Sequence, residues 1–235
     1  MCKRLGMVLA ILLPLGLQAF DQKAVDKLLA GDKNLAGADF TNLPGSALPG
    51  GGTFTGVNFS GADFTGAYIP SRIFQSCNFS NAKFDRADLR GVHFKSSCNM
   101  VSASFAGAIL GGTQFNSAKL NQASFTDVTC TPQSGPQFMQ SDCQGLRLNG
   151  TNFNGAARFY NCDMTGVDFK SGNVRGISLE SSRIASSQRS YLSTQSIRQF
   201  DTIVWVTPPT LNIKPAAAEK AEKLKPVNKP VAPPK

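Results

Sequence analysis

The sequence is poor in the residues that most enzymes use for acid–base and metal chemistry. It holds one histidine, no Cys-x-x-Cys pair and no carboxylates at the spacing of a calcium loop. The glycine triplet at 50–52 is not followed by the Lys and Ser/Thr of a phosphate-binding loop. We therefore predict no catalytic residue, no metal site and no cofactor, and we expect that the protein is not an enzyme.

The sequence also lacks an apolar run long enough to be a transmembrane helix. Its longest, Leu5–Leu17, has thirteen residues, whereas a membrane span takes about 20. Lys3 and Arg4 precede this run and Ala19 follows it, which is the order of basic, apolar and small residues in a secretory signal peptide. We predict a signal peptide at 1–19 and export to the periplasm or the extracellular space. A buried first helix or a retained anchor is the alternative.

Removal of that segment changes the charge and the cysteine count. The formal net charge of +9 falls to +7, because Lys3 and Arg4 are lost. In an oxidising compartment an odd number of cysteines leaves at least one thiol unpaired. Five cysteines would remain: Cys77, Cys98, Cys130, Cys143 and Cys162.

Tryptophan and tyrosine are scarce, at one and three residues, but phenylalanine is abundant, at 17. Written in fives from Phe54, the bulky residues fall into one column that continues to Ile184 across two single-residue insertions and one longer break. The column has 26 positions, and with the earlier Phe40 it holds 15 of the 17 Phe. We predict that these side chains form a buried ladder, which includes the phenylalanines Phe54, Phe59, Phe64, Phe74, Phe79, Phe84, Phe94, Phe105, Phe115, Phe125, Phe153, Phe159 and Phe169.

A second column stands two residues before the first and holds mostly Ala, Val and Cys, with Arg72, Pro136 and Leu146 as exceptions. Asn or Asp often stands between the two columns, as in Ala62-Asp63-Phe64. A period of five matches neither the 3.6 residues of a helical turn nor the two of a strand. If each unit forms one side of a square coil, the larger inward residue fills the axis and the smaller one fits the corner.

The units Gly61-Ala62-Asp63-Phe64-Thr65 and Arg86-Ala87-Asp88-Leu89-Arg90 resemble the A-[DN]-[LF]-x-x unit of the pentapeptide-repeat family. The resemblance covers residues 34–184, with interruptions near 41–52 and 131–137. It implies an all-β fold: a right-handed quadrilateral parallel β-helix with four repeats per coil. At a strand spacing of about 4.8 Å, the repeats would make a rod of roughly 30 Å.

The ends of such a rod need covers, because each coil buries its apolar column only against the next. Residues 20–33 include the amphipathic stretch Asp21–Ala30 and are predicted to form a capping helix. Residues 185–206 are predicted to close the other end, with a short helix at Ser193–Arg198. The remaining 207–235 is rich in Pro and Lys, carries a net charge of +4 and is predicted to be disordered. Whether it docks to a partner or stays solvated is open.

Two disulfide bonds are candidates if the protein is exported. Cys77 and Cys98 stand in the small column four repeats apart, so their Cα atoms should lie about 4.8 Å apart, within the disulfide range of roughly 4.4–6.8 Å. Two adjacent buried thiols are the alternative. Cys130 and Cys143 flank the second interruption and could bridge it, which leaves Cys162 unpaired and inward.

The remaining polar candidates have structural explanations. His93 lies between inward Val92 and Phe94, so it should point to solvent rather than into the pocket that a catalytic base needs. Several acids occupy the position before a ladder residue, where the repeat itself explains them: Asp63, Asp88, Asp163 and Asp168.

These features predict a non-catalytic exported scaffold that binds one or more proteins in the cell envelope or outside the cell. The two interruptions are candidate binding features, since insertions in repeat proteins often mark a binding face. The family resemblance gives the alternative, because some pentapeptide-repeat proteins mimic DNA and inhibit gyrase, a function that needs acidic faces and a cytoplasmic location. We expect no nucleic-acid binding, because the basic residues scatter over several faces: Lys83, Lys119, Arg147, Arg158 and Arg183.

Overall fold

The computed structural model describes residues 20–48 and 52–207. The predicted signal peptide and nearly all of the Pro/Lys-rich segment lie outside these residues. The helices are α1, Gln22–Leu29, and α2, Arg189–Leu192, and single 3-10 turns lie at Gly45–Ala47, Phe169–Ser171, Ser186–Gln188 and Phe200–Thr202. The strands are β1 Thr53–Thr55, β2 Ile73–Gln75, β3 His93–Lys95, β4 Gln114–Asn116, β5 Gln137–Met139, β6 Arg158–Tyr160, β7 Arg183–Ala185 and β8 Val204–Val206.

The chain winds into coils with four sides. Face 1 is the parallel sheet β1–β6, whose strands pair in sequence order. Successive coils on the other three sides are joined by isolated parallel bridges, marked by Asn58↔Asn78 on face 2, Asp63↔Lys83 on face 3 and Asp88↔Ile109 on face 4. The faces follow one another in chain order and repeat over about seven turns. The predicted quadrilateral parallel β-helix is confirmed.

The ladder residues fill the inside of all four faces. On face 1 the rings stack from coil to coil, with centroids 4.8 Å apart for Phe115 and Phe138 and 4.4 Å apart for Phe138 and Phe159. Burying one such ring stabilises the fold by roughly 1.5–3 kcal/mol, and an aromatic pair adds about 0.5–1.5 kcal/mol. Every phenylalanine of the predicted ladder is buried except Phe54, which is half-buried because it belongs to the first rung of face 1.

Arg72, Pro136 and Leu146 in the small column are also buried. Arg72 is only 7% exposed, and its guanidinium donates a hydrogen bond to the main-chain oxygen of Leu48. Pro136 and Leu146 take the same inward position on their own coils. The place of a residue in the five-residue unit therefore decides its burial, even for an arginine.

The corners of the coils require left-handed backbone. Gly66 has a φ of +68° and lies against the side chain of Asn42, where a Cβ atom would clash. Equivalent corners are occupied by Asn81 and Ser102, each with a φ of 58°. Glycine adopts this conformation without strain and asparagine tolerates it, which explains part of the Gly and Asn content of the repeats.

Helix α1 covers the first coil. The carboxylate of Asp21 caps it by accepting the main-chain N–H of Lys23 at 2.9 Å, and the N–H of Asp21 donates to the oxygen of Asp39 at 2.9 Å. Val25 and Leu28 are buried on the side that faces the coil. The predicted N-terminal capping helix is thus present.

The C-terminal cover differs from the prediction in the position of its helix. Helix α2 ends at Leu192, before the segment 193–198 that was expected to be helical. That segment instead returns to face 1, where Arg198 forms a parallel bridge with Ser178 and donates its N–H to the oxygen of Ile177 at 2.9 Å. Backbone pairing with the coil below thus overrides the local helical tendency. Strand β8 then pairs with β7.

Candidate interaction surfaces

The acids that precede ladder residues stabilise the corners of the coils. The carboxylate of Asp63 accepts the N–H of Thr65 at 2.9 Å, and that of Asp163 accepts the N–H of Thr165 at 3.0 Å. These are the hydrogen bonds of Asx turns. Desolvation raises the pKa of each carboxyl, but these bonds and a nearby cation lower it more, so both pKa values lie below the ordinary one. A general acid or base needs a pKa near the working pH, so these acids serve the fold.

Asparagine side chains form a ladder along face 2. The amide of Asn58 donates to Asn34 at 3.2 Å, Asn78 to Asn58 at 3.1 Å, and Asn99 to Asn78 at 3.1 Å. Each amide in the middle of the ladder both donates and accepts. The polar groups of this part of face 2 are therefore satisfied within the protein.

His93 points outward from β3, as predicted, and is half-buried. Its neighbours on the adjacent strands are Ile73 and Gln114. Desolvation and the charge of Lys95 lower the pKa of His93, so the imidazole is mostly neutral at pH 7. Neither neighbouring side chain is a carboxylate that could orient the ring as a catalytic base.

The five cysteines within the described residues are all buried thiols. Cys77 and Cys98 stand on neighbouring coils of face 2, as predicted, and a bond between them stays a prediction. Cys130 belongs to face 4 and Cys143 to the opposite face 2. Cys143 lies next to Cys162 instead, because these residues fall on neighbouring coils of face 2. The structure therefore does not support the expected Cys130–Cys143 bridge, and Cys162 is not isolated.

Contact within each cysteine pair separates the two pKa values. The Cys98 thiol lowers the pKa of Cys77 to about 7, while the same contact and burial raise the pKa of Cys98. Cys162 has a lowered pKa and Cys143 a raised one for the same reason. Within each pair, the thiol with the lowered pKa is the more readily ionised one.

Sequence reasoning missed the role of polar residues in the small column. The sulfur of Cys77 lies 3.3 Å from the main-chain oxygen of Phe54, and that of Cys98 lies 3.3 Å from the oxygen of Phe74. Donors in this column thus satisfy a carbonyl in the coil below. The sequence did contain a signal for this role, because Ser and Thr stand at some positions of the small column in place of Ala and Val. The same bond is donated to a ladder carbonyl by Thr113, Ser141, Thr151, Cys162 and Ser182.

Both interruptions of the repeat lead into face 1. The segment before β1 includes the turn Gly45–Ala47, and the segment 131–136 leads directly into β5. Thr131 and Ser134 form an antiparallel bridge that closes the second segment, and residues 131–134 are exposed. The described part of the first segment and the whole of the second therefore lie at the same corner of the coil, between faces 4 and 1.

Face 1 also carries a pair of exposed apolar side chains. Met139 and Tyr160 stand opposite each other on β5 and β6, and each is 41% exposed. Tyr68 and Ile109 are exposed on face 4, but Asp88 separates them. Within residues 20–48 and 52–207, face 1 is thus the one face where two large exposed apolar side chains are direct neighbours.

Two shallow hollows adjoin this pair. The first, of about 220 Å³, is lined by Arg158, Ser178, Glu180, Arg198 and Gln199. The second, of about 180 Å³, shares three of these residues and extends to Gln137, Met139 and Tyr160. We call this continuous surface the C-terminal patch of face 1, defined by Gln137, Met139, Arg158, Tyr160, Glu180 and Arg198.

Two sequence profiles match the chain. One, described as a pentapeptide repeat region, matches residues 52–125, and the other, described as pentapeptide repeats in eight copies, matches residues 137–180. Together they cover half of the sequence and most of the β-helix. The chain belongs to the pentapeptide-repeat family. A search of curated proteins found no match.

Solved pentapeptide-repeat structures are similar to this chain at low identity. Rfr23 from the cyanobacterium Cyanothece 51142 is 18% identical, with 51% of this chain and 92% of that chain covered and a TM-score of 0.42. HetL from Nostoc sp. strain PCC 7120, a protein involved in heterocyst differentiation regulation, is 14% identical, with 71% and 84% covered and a TM-score of 0.34. QnrB1, a plasmid-mediated fluoroquinolone resistance protein, is 22% identical, with 68% and 84% covered and a TM-score of 0.32.

Other kinds of site were sought in the same part of this pentapeptide-repeat protein. No helix within residues 20–48 and 52–207 is long and apolar enough to cross a membrane. In those residues, no group of three or more His, Cys, Asp or Glu side chains is placed to hold a metal ion. Face 1 differs from the other described faces in its adjacent exposed apolar side chains.

Proposed function

We propose that this protein is an exported, non-catalytic scaffold that binds one or more proteins of the cell envelope or the extracellular space through the side of its β-helix. The observation that carries the proposal is the convergence on face 1 of both repeat interruptions and the exposed Met139–Tyr160 pair. Adjacent exposed apolar side chains support the proposal, because contiguous apolar surface is a feature of protein interaction sites.

The interior supports a binding role rather than catalysis. Large rings fill the axis of the β-helix, so a substrate has no space inside the coils. The hollows on face 1 are shallow and open, unlike the pockets that bury most of a small ligand. Export is supported by the sequence pattern of residues 1–19.

A DNA-mimicking gyrase inhibitor is a weaker hypothesis for this chain. A mimic of the duplex needs continuous columns of negative charge, but residues 20–207 contain 16 Lys and Arg against 13 Asp and Glu. Cations interrupt the acidic columns, as where Lys83 stands above Asp63 on face 3 with a nitrogen–oxygen distance of 3.4 Å. No feature of the described faces favours this function over protein binding.

Cross-linking and pull-down from the exported fraction test the proposal. The full chain and a chain that ends at Pro208 should both capture the same specific protein if the β-helix carries the binding surface. If the full chain captured a partner and the shortened chain did not, binding would be assigned to the Pro/Lys-rich segment. Recovery of no specific partner by either form, or fractionation of the protein with the cytoplasm, would contradict the proposed function.

A further inference from the structure

The C-terminal patch differs in charge from the rest of the molecule. The outward positions of face 1 hold three cations, Lys95, Arg158 and Arg198, and one acid, Glu180. Faces 2, 3 and 4 each hold acids at the position before the ladder residue, among them Asp163, Asp63 and Asp88. With three cations against one acid, the outward positions of face 1 carry a net charge of +2.

The two arginines of the patch are free to bind another group. Both are exposed, and neither forms an ion pair within the described residues. One nitrogen of Arg198 donates to the oxygen of Gly155 at 2.9 Å, which orients the guanidinium and leaves its other donors open. An arginine presents five N–H donors that match a carboxylate.

The spacing of the arginines specifies the ligand. Arg158 pairs with Ser178, and Ser178 pairs with Arg198, so the arginines stand two rungs apart in one column. At about 4.8 Å per rung their Cα atoms are about 10 Å apart. In a polyproline II segment, which has three residues per turn and a rise of about 3.1 Å per residue, residues three positions apart lie on the same side and are separated by about 9 Å. Two acidic residues with two others between them would match both guanidinium groups.

The apolar part of the patch lies beside this column. Met139 and Tyr160 follow ladder residues on β5 and β6, whereas Arg158 precedes one, so cations and apolar groups form parallel columns. A segment lying along the column can thus place carboxylates on the arginines and an apolar side chain between Met139 and Tyr160. Nucleic acid is less suited to this patch, because the patch offers two arginines beside Glu180 and phosphate contacts need several cations.

We propose that the C-terminal patch of face 1 binds an acidic polyproline II segment of another protein, with two Asp or Glu residues three positions apart and a neighbouring apolar residue. This assignment rests on the proposed function, since it names the surface and the chemistry of the partner. The segment lies along the axis of the β-helix, with its carboxylates on Arg158 and Arg198.

Selection from a random dodecapeptide display library on the purified full chain tests the assignment. The recovered peptides should carry the acidic pair at that spacing with an apolar residue beside it. Binding of the synthetic consensus peptide, measured by fluorescence anisotropy, should weaken about tenfold in Arg158→Glu/Arg198→Glu, because two attractive contacts become repulsive. Peptides without acidic pairs, or no recovered peptide, would overturn the proposal.

Arg86→Glu/Arg147→Glu is the matched control. Both residues are exposed away from the patch, and neither forms an ion pair within the described residues. The control should change peptide binding less than twofold and should melt with the parent, as should the patch variant. Equal peptide binding by the patch variant and the parent would overturn the assignment.

Two further measurements test whether DNA or a second copy of this chain binds the C-terminal patch instead of an acidic segment. A 20-base-pair DNA duplex bound by the parent and lost in the patch variant would make the patch a nucleic-acid site. Self-association in sedimentation that is lost in the same variant would make it an interface between copies of this chain. Either result would overturn the proposal. A cross-linked partner that still binds the patch variant would leave the proposed function standing and would move its site elsewhere.

Discussion

The N-terminal coils, residues 53–129, and the C-terminal coils, residues 137–206, use the same five-residue unit with different regularity. In the N-terminal coils the small column of faces 3 and 4 is almost entirely alanine, and asparagines form the ladder on face 2. In the C-terminal coils Leu146, Thr151 and Ile177 enter the small column. The irregular half also carries the exposed apolar pair and the hollows. Regular repeats thus supply stability, and departures from them supply a distinct surface.

The largest loss of stability is expected from a charge placed on the axis of the regular coils. Phe84→Asp places a carboxylate among the stacked rings of Phe64 and Phe105, where no partner can neutralise it. The free energy of unfolding should fall by several kcal/mol even after local relaxation, and urea denaturation measures it. Phe54→Asp is the control, since Phe54 is half-buried in the first rung and its carboxylate can reach water. Equal losses for the two variants would mean that the axis is not the dry core described here.

A smaller effect is expected at the corner donors. Cys98→Ser keeps a small donor for the oxygen of Phe74, so the free energy of unfolding should change by about 1 kcal/mol or less. Cys98→Leu removes the donor and overfills the corner, which costs about 1–3 kcal/mol. Thermal unfolding of the reduced variants compares them. If Cys98→Ser lowered the stability as much as Cys98→Leu, the donor role of this position would be refuted.

The oxidation state of the same cysteines is measured separately. Mass spectrometry of unreduced peptides from the exported protein should find Cys77 joined to Cys98. The geometry adds Cys143–Cys162 as the second pair, because those residues are neighbours on face 2. Five free thiols would exclude both bonds and would remove one support for export.

The asparagine ladder should contribute less than the core. Asn78→Ala removes a hydrogen bond to Asn58, one from Asn99 and one from the N–H of Ser80. These are partly solvated bonds, so the expected loss is about 1–2 kcal/mol, seen as a lower urea midpoint. Asn78→Asp is the control, since it keeps the acceptor for Ser80 and loses the amide donor; its cost should be smaller than that of alanine.

The period of five predicted the fold because it reports burial directly. A large residue at every fifth position requires a repeated inward slot, and the buried ladder side chains confirm it from coil to coil. The cap at Ser193–Arg198 was mispredicted because its local sequence suits a helix, while pairing with Ser178 on the coil below decides the outcome. The C-terminal patch could not be found from sequence, since Arg158 and Arg198 are 40 residues apart and meet only because each coil returns to face 1.

The smallest effect is expected for Asp63, whose ionisation contributes to the loss of stability in acid. Its pKa is lowered in the folded protein, so its contribution is fully present above the unfolded pKa of about 4 and is lost as the pH falls through the folded pKa. Asp63→Asn keeps an acceptor for the N–H of Thr65 and loses the exposed ion pair with Lys83. At pH 7 the variant should be less stable by at most about 1 kcal/mol. Between pH 5 and pH 2 its stability should fall less than that of the parent in urea denaturation. Asp201→Asn, at an exposed position of the C-terminal cover, is the control for the loss of one surface carboxylate. A variant whose acid dependence equals that of the parent would show that the hydrogen bond and cation at Asp63 do not act on its ionisation.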